Sequence, residues 1–200
     1  MATGFSWSYR ELEQCESTQL LAIELIRKGD FKGPFALSCR QQTGGFGRRG
    51  DPWIDSGQAL ALSLAWRPVP EQISPDERWP SWISLWVLQG LIQFDDRLRH
   101  VLKLKWPNDL VVGSEKLGGV LVSQFIANGE TYRVAGIGLN LSWVAAKPVD
   151  RPVTDLQSLL GKAVIRERVL ESILSAVAQG IQGEEDEGLL DAALQELRAV

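Results

Sequence analysis

Histidine and cysteine are scarce in this chain of 200 residues, which has one His, His100, and two Cys, Cys15 and Cys39. A single histidine excludes a histidine-built metal centre. Two distant cysteines give neither a metal-ligand spacing nor a disulfide framework, and both are expected as reduced, small core residues in a cytoplasm. No apolar run is long enough to span a bilayer. The first residues, Met1 to Arg10, lack the cationic start and apolar stretch of a secretory signal. Basic charge is not in excess either: the net charge is −4, so bulk electrostatics gives no reason to expect DNA or RNA as a partner. Any anion site has to be a local cluster of basic residues. What remains is 44% hydrophobic and 23% charged, which suits one globular domain over residues 1–200 with a sizeable core.

Ser17-Thr18 precedes Leu20, Leu21, Ile23, Leu25 and Ile26, and Gly29 closes the run, which predicts a short capped helix. Phe35 to Arg40 reads as a strand, Gln41 to Asp55 as a polar, glycine-rich loop, and Ala59 to Trp66 as a strand covered on both faces. A proline-bearing connection, Pro68 to Pro80, leads to a helix from Trp82 to Leu98. Strands are expected at Leu102 to Trp106, Leu110 to Val112, Leu117 to Phe125 and Thr131 to Gly138, the last two joined by an Asn128-Gly129 hairpin turn. Asp155 to Leu160, Ile165 to Ile181 and Gly188 to Ala199 read as helical, with the acidic stretch Glu184 to Glu187 between the last two. The implied class is α+β, a mainly antiparallel mixed sheet with helices packed on one face.

Three stretches combine glycine with charge. Gln42 to Trp53 (QTGGFGRRGDPW) holds glycines that let backbone N–H groups converge on an anion, and Arg48 and Arg49, whose guanidinium groups grip phosphate in two-pronged fashion. Read alone, it fits a mobile basic surface loop with one tryptophan anchor equally well. Lys105-Trp106-Pro107-Asn108-Asp109 is ordinary turn chemistry between strands unless Lys105 and Asp109 face a common site, where a carboxylate suits Mg²⁺. Lys116-Leu117-Gly118-Gly119 and Gly136-Ile137-Gly138-Leu139-Asn140 place glycines inside strands. Such glycines mark a ligand lying against the sheet or close packing against bulky neighbours such as tryptophans.

In this order, the stretches resemble the catalytic domain of the biotin protein ligases. That family carries a Ser-Thr pair, a glycine-arginine loop ending in Trp, a Lys-Trp-Pro-Asn-Asp motif, a Lys-Leu-x-Gly strand and a Gly-x-Gly-x-Asn strand. Here these are Ser17-Thr18, Gln42 to Trp53, Lys105 to Asp109, Lys116 to Gly119 and Gly136 to Asn140. The resemblance implies ATP-dependent joining of biotin to a lysine of a carrier, the biotin carboxyl carrier domain of acetyl-CoA carboxylase, through biotinyl-5′-AMP. It implies that the ureido ring meets Ser17, Thr18 and Gln42, with backbone of Gly119 and Gly138 closing on it. Arg48, Lys105 and Lys116 would be catalytic, Lys116 facing both carboxylate and phosphate. Gly45, Gly47, Arg48, Arg49, Trp53, Asn108 and Asn140 would hold ATP, Trp53 by stacking on adenine, and Asp109 would hold Mg²⁺.

The sequence also departs from that pattern. The family's loop usually reads Gly-Arg-Gly-Arg-Arg-Gly-Arg; Phe46 stands at the first arginine and Asp51 at the last. Gln19 stands where Asn usually follows the Ser-Thr pair. Only 16 residues precede Ser17, so the winged-helix DNA-binding module of many members is expected to be absent, and with it a repressor role. The small β-rich C-terminal module is likewise not expected. Two alternatives accompany this reading: a lipoate ligase or lipoyl transferase of the same fold, and a catalytically weakened biotin-binding protein.

Overall fold

Strand alternation decides this architecture. In the computed structural model, which describes residues 5–55, 58–69, 78–143 and 151–183, seven strands form one sheet. They are β1 (Ser8–Cys15), β2 (Phe35–Gln42), β3 (Ala59–Trp66), β4 (Leu102–Lys105), β5 (Asp109–Val112), β6 (Glu115–Ala127) and β7 (Glu130–Asn140). Their order is β1-β2-β3-β7-β6-β5-β4. Only β1 and β2 pair in parallel; the other neighbours are antiparallel. The helices are α1 (Thr18–Arg27), α2 (Trp79–Phe94), α3 (Leu156–Leu160) and α4 (Arg166–Gln182). The expected α+β class and mixed, mainly antiparallel sheet are present.

The helices do not all share one face, and this corrects the expectation. Ala36, Leu64, Ala135, Ile137 and Leu139 join the large core with α2 and α4. Their chain neighbours Leu37, Ala65 and Val134 pack instead with Ala22 and Ile26 of α1. Successive strand residues point to opposite faces, so α1 covers the face that α2 and α4 leave. The reason is topological: β1 and β2 run parallel, and a parallel pair requires a crossover, which α1 supplies. β1 itself was not expected. Its sequence, SYRELEQC, is polar and mostly exposed, as an edge strand tolerates.

Other bounds shift modestly. α2 runs from Trp79 to Phe94, and Asp95 then accepts from Arg97 N to cap a separate 3-10 turn, Asp96–His100. Asn128 and Gly129, at φ of 52° and 79°, make the expected hairpin turn between β6 and β7. The helix expected over 188–199, the acidic stretch before it and most of the proline-bearing connection lie outside the described residues. α2 and α4 approach closely because Gly180 has no side chain: a Cβ there would stand 2.1 Å from Cδ2 of Trp86. Beneath them the buried Arg133 lies with its Cζ 3.5 Å from the Trp79 ring centroid and donates to Gln124 Oε1. A desolvated cation over an indole contributes about 2 kcal/mol. Both cysteines are free thiols; burial, then a hydrogen bond with Cys39, pushes Cys15 up to about 12. That shift favours the protonated thiol at neutral pH.

Candidate active site

The α1 face of the sheet is incompletely covered, and there a cavity of about 300 Å³ opens. Its inner end is polar and buried. Ser17 caps α1, accepting from Leu20 N at 3.5 Å, because a hydroxyl there satisfies a first-turn N–H. Thr18 donates to Gln42 Oε1 through its backbone N at 2.8 Å and its hydroxyl at 3.2 Å. Ser63, from β3, donates its hydroxyl to Thr18 Oγ1 at 2.8 Å. With its amide oxygen taken up by Thr18, Gln42 turns Nε2 over Gly45, where a Cβ would stand 2.7 Å from it. Gln19 is also held, donating to Ser123 Oγ at 3.2 Å and Val134 O at 3.1 Å. This end therefore presents hydroxyls and amides whose orientation is fixed by neighbours before anything binds.

Three glycines make the floor, and each makes room for a particular side chain. A Cβ at Gly136 would lie 2.7 Å from Gln19 Oε1, and one at Gly138 would lie 2.8 Å from Trp53 Cζ2. A Cβ on Gly119, which pairs with Gly138 across β6 and β7, would meet Asp109 Oδ1 at 3.0 Å and Lys116 Nζ at 3.2 Å. Packing against a tryptophan is thus part of what these glycines do, alongside leaving the sheet open to the cavity. The Trp53 indole rests on that floor, and its buried Nε1 finds no partner among the described residues, an unmet donor at a site otherwise well bonded.

The outer end is charged. Lys116 Nζ donates to Asp109 Oδ1 at 2.6 Å, both side chains being less than a fifth exposed. Arg151 Nη1 stands 3.6 Å from Asp109 Oδ2. Asn108 is fixed by a reciprocal pair with β6: Val120 N donates to Asn108 O, and Asn108 Nδ2 donates to Val120 O, both at 2.9 Å. Arg48 reaches Asn108 Oδ1 at 3.5 Å. The loop that carries Arg48 closes on itself, with Trp53 N donating to Gly45 O at 2.9 Å and Gly47 N to Asp51 O at 2.7 Å. Arg49 and Gly50 turn the chain at φ of 60° and 82°.

The cavity brings together most of the expected residues. Ser17, Thr18, Gln42, Gly47, Arg48, Arg49 and Trp53 line it from α1 and the loop; Asn108, Asp109, Lys116, Gly119 and Gly138 line it from the sheet. Three expected residues are not among its lining. Lys105 ends β4 opposite Asp109, its cross-strand partner, and so lies on the cavity's face of the sheet while Leu102 turns to the large core, but it is exposed and stands outside the lining. Gly45 packs between Gln42 and Trp53. Asn140 is buried and donates Nδ2 to Thr154 O at 3.0 Å and Lys116 O at 3.4 Å, tying main chain together behind the site. The sequence left Arg151 unmarked. Its neighbours carry no glycine-rich signal, and its place depends on a contact with β6 that no local pattern reveals.

The profile of the Biotin/lipoate A/B protein ligase family matches residues 11–140. The chain belongs to this family. It is 27% identical over 173 residues to the biotin--[acetyl-CoA-carboxylase] ligase of Paracoccus denitrificans, covering 84% of this chain and 70% of that one. It is 29% identical over 185 residues to the enzyme of the same name from Mycobacterium tuberculosis, covering 87% of this chain and 64% of the relative. The chain thus spans about two thirds of the length of these relatives. Its fold is similar to that of the biotin acetyl coenzyme A carboxylase synthetase of Helicobacter pylori, solved with bound biotinylated ATP. There the TM-score is 0.65 and the identity 27%, over 97% of this chain and 83% of that one. Among the described residues no helix is long and apolar enough to cross a membrane.

Proposed function

We propose that the protein joins biotin to a lysine of a biotin carrier protein in two steps, through biotinyl-5′-AMP. The observation that carries this reading is one cavity with a preoriented polar end (Ser17, Thr18, Gln42) and a cationic end (Arg48, Lys116), joined by the floor of Gly119, Gly136 and Gly138. A ureido ring is a compact donor and acceptor that suits the polar end. The valeryl chain of biotin then lies along the glycines and delivers its carboxylate to Lys116. In the first step a carboxylate oxygen bonds to the α-phosphorus of ATP, and the bond to the bridging oxygen breaks with its electrons leaving on pyrophosphate. Two anions must meet for this, and Lys116 and Arg48 offset their repulsion. Holding both reactants in line contributes up to about 7–11 kcal/mol. In the second step the carrier's lysine amine attacks the acyl carbon, AMP leaves, and the amine loses a proton.

Trp53 offers an indole face to the adenine, and Arg48 and Arg49 sit in the loop that would cover the phosphates. Mg²⁺ is commonly held by one or two carboxylates together with substrate phosphates, so Asp109 suits it. Bound there, the ion would neutralise the pyrophosphate as it leaves. The names of the relatives support acetyl-CoA carboxylase as the source of the carrier domain. A dithiolane ring fits the polar end less well than a ureido ring, since it would leave buried hydroxyl and amide groups unsatisfied at about 1–3 kcal/mol each. Incubation with biotin, α-labelled ATP, Mg²⁺ and the carrier domain tests the proposal. Labelled biotinyl-AMP and biotinylated carrier are expected, with lipoate a poor substitute. Absence of both products, or a preference for lipoate, would overturn it.

A further inference from the structure

Arg151 enters the cavity from the segment that leads into α3, outside every motif described above. Its Nη1 lies 3.6 Å from Asp109 Oδ2, while Lys116 takes the other oxygen of the same carboxylate at 2.6 Å. Its position is set by main chain as well as by its own side chain. Lys116 N donates to Pro152 O and Thr154 N donates to Lys116 O, both at 3.0 Å. Residue 153 pairs with Lys116 as a parallel bridge, and Asn140 Nδ2 anchors Thr154 O. The strand residue that carries the cavity's amine is therefore laced to the residues next to Arg151.

Charge gives this placement its use. Among the described residues the cavity is lined by four cations, Arg48, Arg49, Lys116 and Arg151, and two carboxylates, Asp51 and Asp109. The loop lacks cationic side chains at Phe46 and Asp51, both of which face the cavity, and Asp51 brings the opposite sign. Arg151 doubles the net positive charge that would otherwise meet a triphosphate. Its side chain is half exposed and its contact with Asp109 is long, so it can exchange that carboxylate for a phosphate with little loss. Lys116 stands on the floor side, beside Gly119, where the reacting carboxylate and α-phosphate must meet. The far oxygen of Asp109 faces the half-exposed Arg151, on the more open side of the carboxylate.

We propose that Arg151 binds the β- and γ-phosphates of the nucleoside triphosphate and the pyrophosphate formed from them, supplying from the segment before α3 the charge that the loop lacks. The proposal rests on the biotin-ligase reading for its substrate, and its test separates the two. Arg151→Ala, Arg151→Gln and Arg151→Lys are compared with the parent chain in biotin-dependent exchange of pyrophosphate into ATP. Calorimetric titrations with inorganic pyrophosphate and with biotin accompany the exchange. Removing the guanidinium is expected to raise KM for ATP and weaken pyrophosphate binding about tenfold, with biotin affinity unchanged and part of the loss restored by lysine. The pyrophosphate effect should persist in an Asp109→Asn background. Were it to vanish there, Arg151 would act only by holding Asp109, and the proposal would fall. If the parent catalyses exchange and Arg151→Ala matches it in both ATP and pyrophosphate, the Arg151 assignment fails while the ligase reading stands. If the parent binds pyrophosphate through Arg151 but shows no biotin-dependent exchange, the ligase reading fails and the phosphate site stands.

Discussion

β7 meets two different environments on its two faces. On one, Ala135, Ile137 and Leu139 are sealed under α2 and α4 in an apolar core with the indoles of Trp66, Trp79, Trp82 and Trp86. On the other, Tyr132 and Val134 pack beneath α1, after which Gly136 and Gly138 open the strand to the cavity. Glycine is used on both sides, to opposite ends. Gly180 lets the Trp86 indole reach a helix and tightens a packed layer; Gly138 lets the Trp53 indole reach the floor of a site. A strand weakened by glycines and flanked by buried polar groups is costly. Dense packing on the opposite face offsets that cost, so the two faces should respond differently to substitution: one in stability, the other in chemistry.

The largest expected effect lies on the cavity side. Lys116→Ala and Asp109→Ala should each slow adenylate formation by at least about 100-fold, the scale of losing one well-placed electrostatic group. Both variants should stay folded. Biotin binding alone should suffer less in Asp109→Ala, since the carboxylate lies at the charged end. Near-parental adenylate synthesis by both, measured with labelled ATP, would break the division between the faces. Next in size is Gly180→Ala. Its Cβ would press on a rigid, buried ring, and overpacking of this kind costs about 1–3 kcal/mol. Chemical denaturation should show that loss while the adenylation rate per folded molecule stays unchanged.

Thr18→Ala sharpens the comparison, because Thr18 belongs to both categories. Its hydroxyl accepts from Ser63 and donates to Gln42, so it fixes the amide that a ureido ring would meet. Losing it should weaken biotin binding by about 1–2 kcal/mol and lower stability by a smaller amount, with ATP binding unaffected. Ser17→Ala should act in the same direction on biotin, with an added cost for the lost helix cap. Titration of biotin and ATP into each variant checks the selectivity; equal losses for both ligands would mean that the polar end does not hold biotin.

How far the sequence reveals this division depends on the range of the signal. β3 is buried at all eight positions and reads as an apolar run, and Asn128-Gly129 marks the hairpin between β6 and β7 outright. The Ser-Thr pair, the arginine loop and the two glycine strands converge as expected because each is a local motif. β1 escaped notice because an edge strand can be as polar as a loop, and the position of α1 followed from its parallel pairing with β2. Lys105 shows the limit of motif reading: it belongs to a motif at the site and, as the cross-strand partner of Asp109, shares the site's face of the sheet, yet it stands exposed beyond the cavity's lining. Arg151 shows the reverse. It has no motif, and a bridge between distant residues brings it in.

The smallest expected effect is at Phe46, where side-chain identity and loop shape separate. The backbone of Phe46 pairs with Pro52, and Gly47 N donates to Asp51 O, so the loop closes through main-chain contacts that a new side chain leaves intact. Phe46→Arg therefore tests charge alone. A guanidinium lining the cavity would add a charge-assisted bond to the adenylate phosphate. Asp51 also faces the cavity and would claim part of that charge, which limits the gain. Release of biotinyl-AMP should slow by about three- to tenfold at low salt and by less as salt rises, since screening acts on a site this open. If Phe46 instead covers the apolar thiophane side of biotin, the same substitution weakens biotin binding and leaves release no slower. Stopped-flow dissociation of the adenylate, run beside a biotin titration, separates the two accounts, and faster release from Phe46→Arg would rule out the charge account.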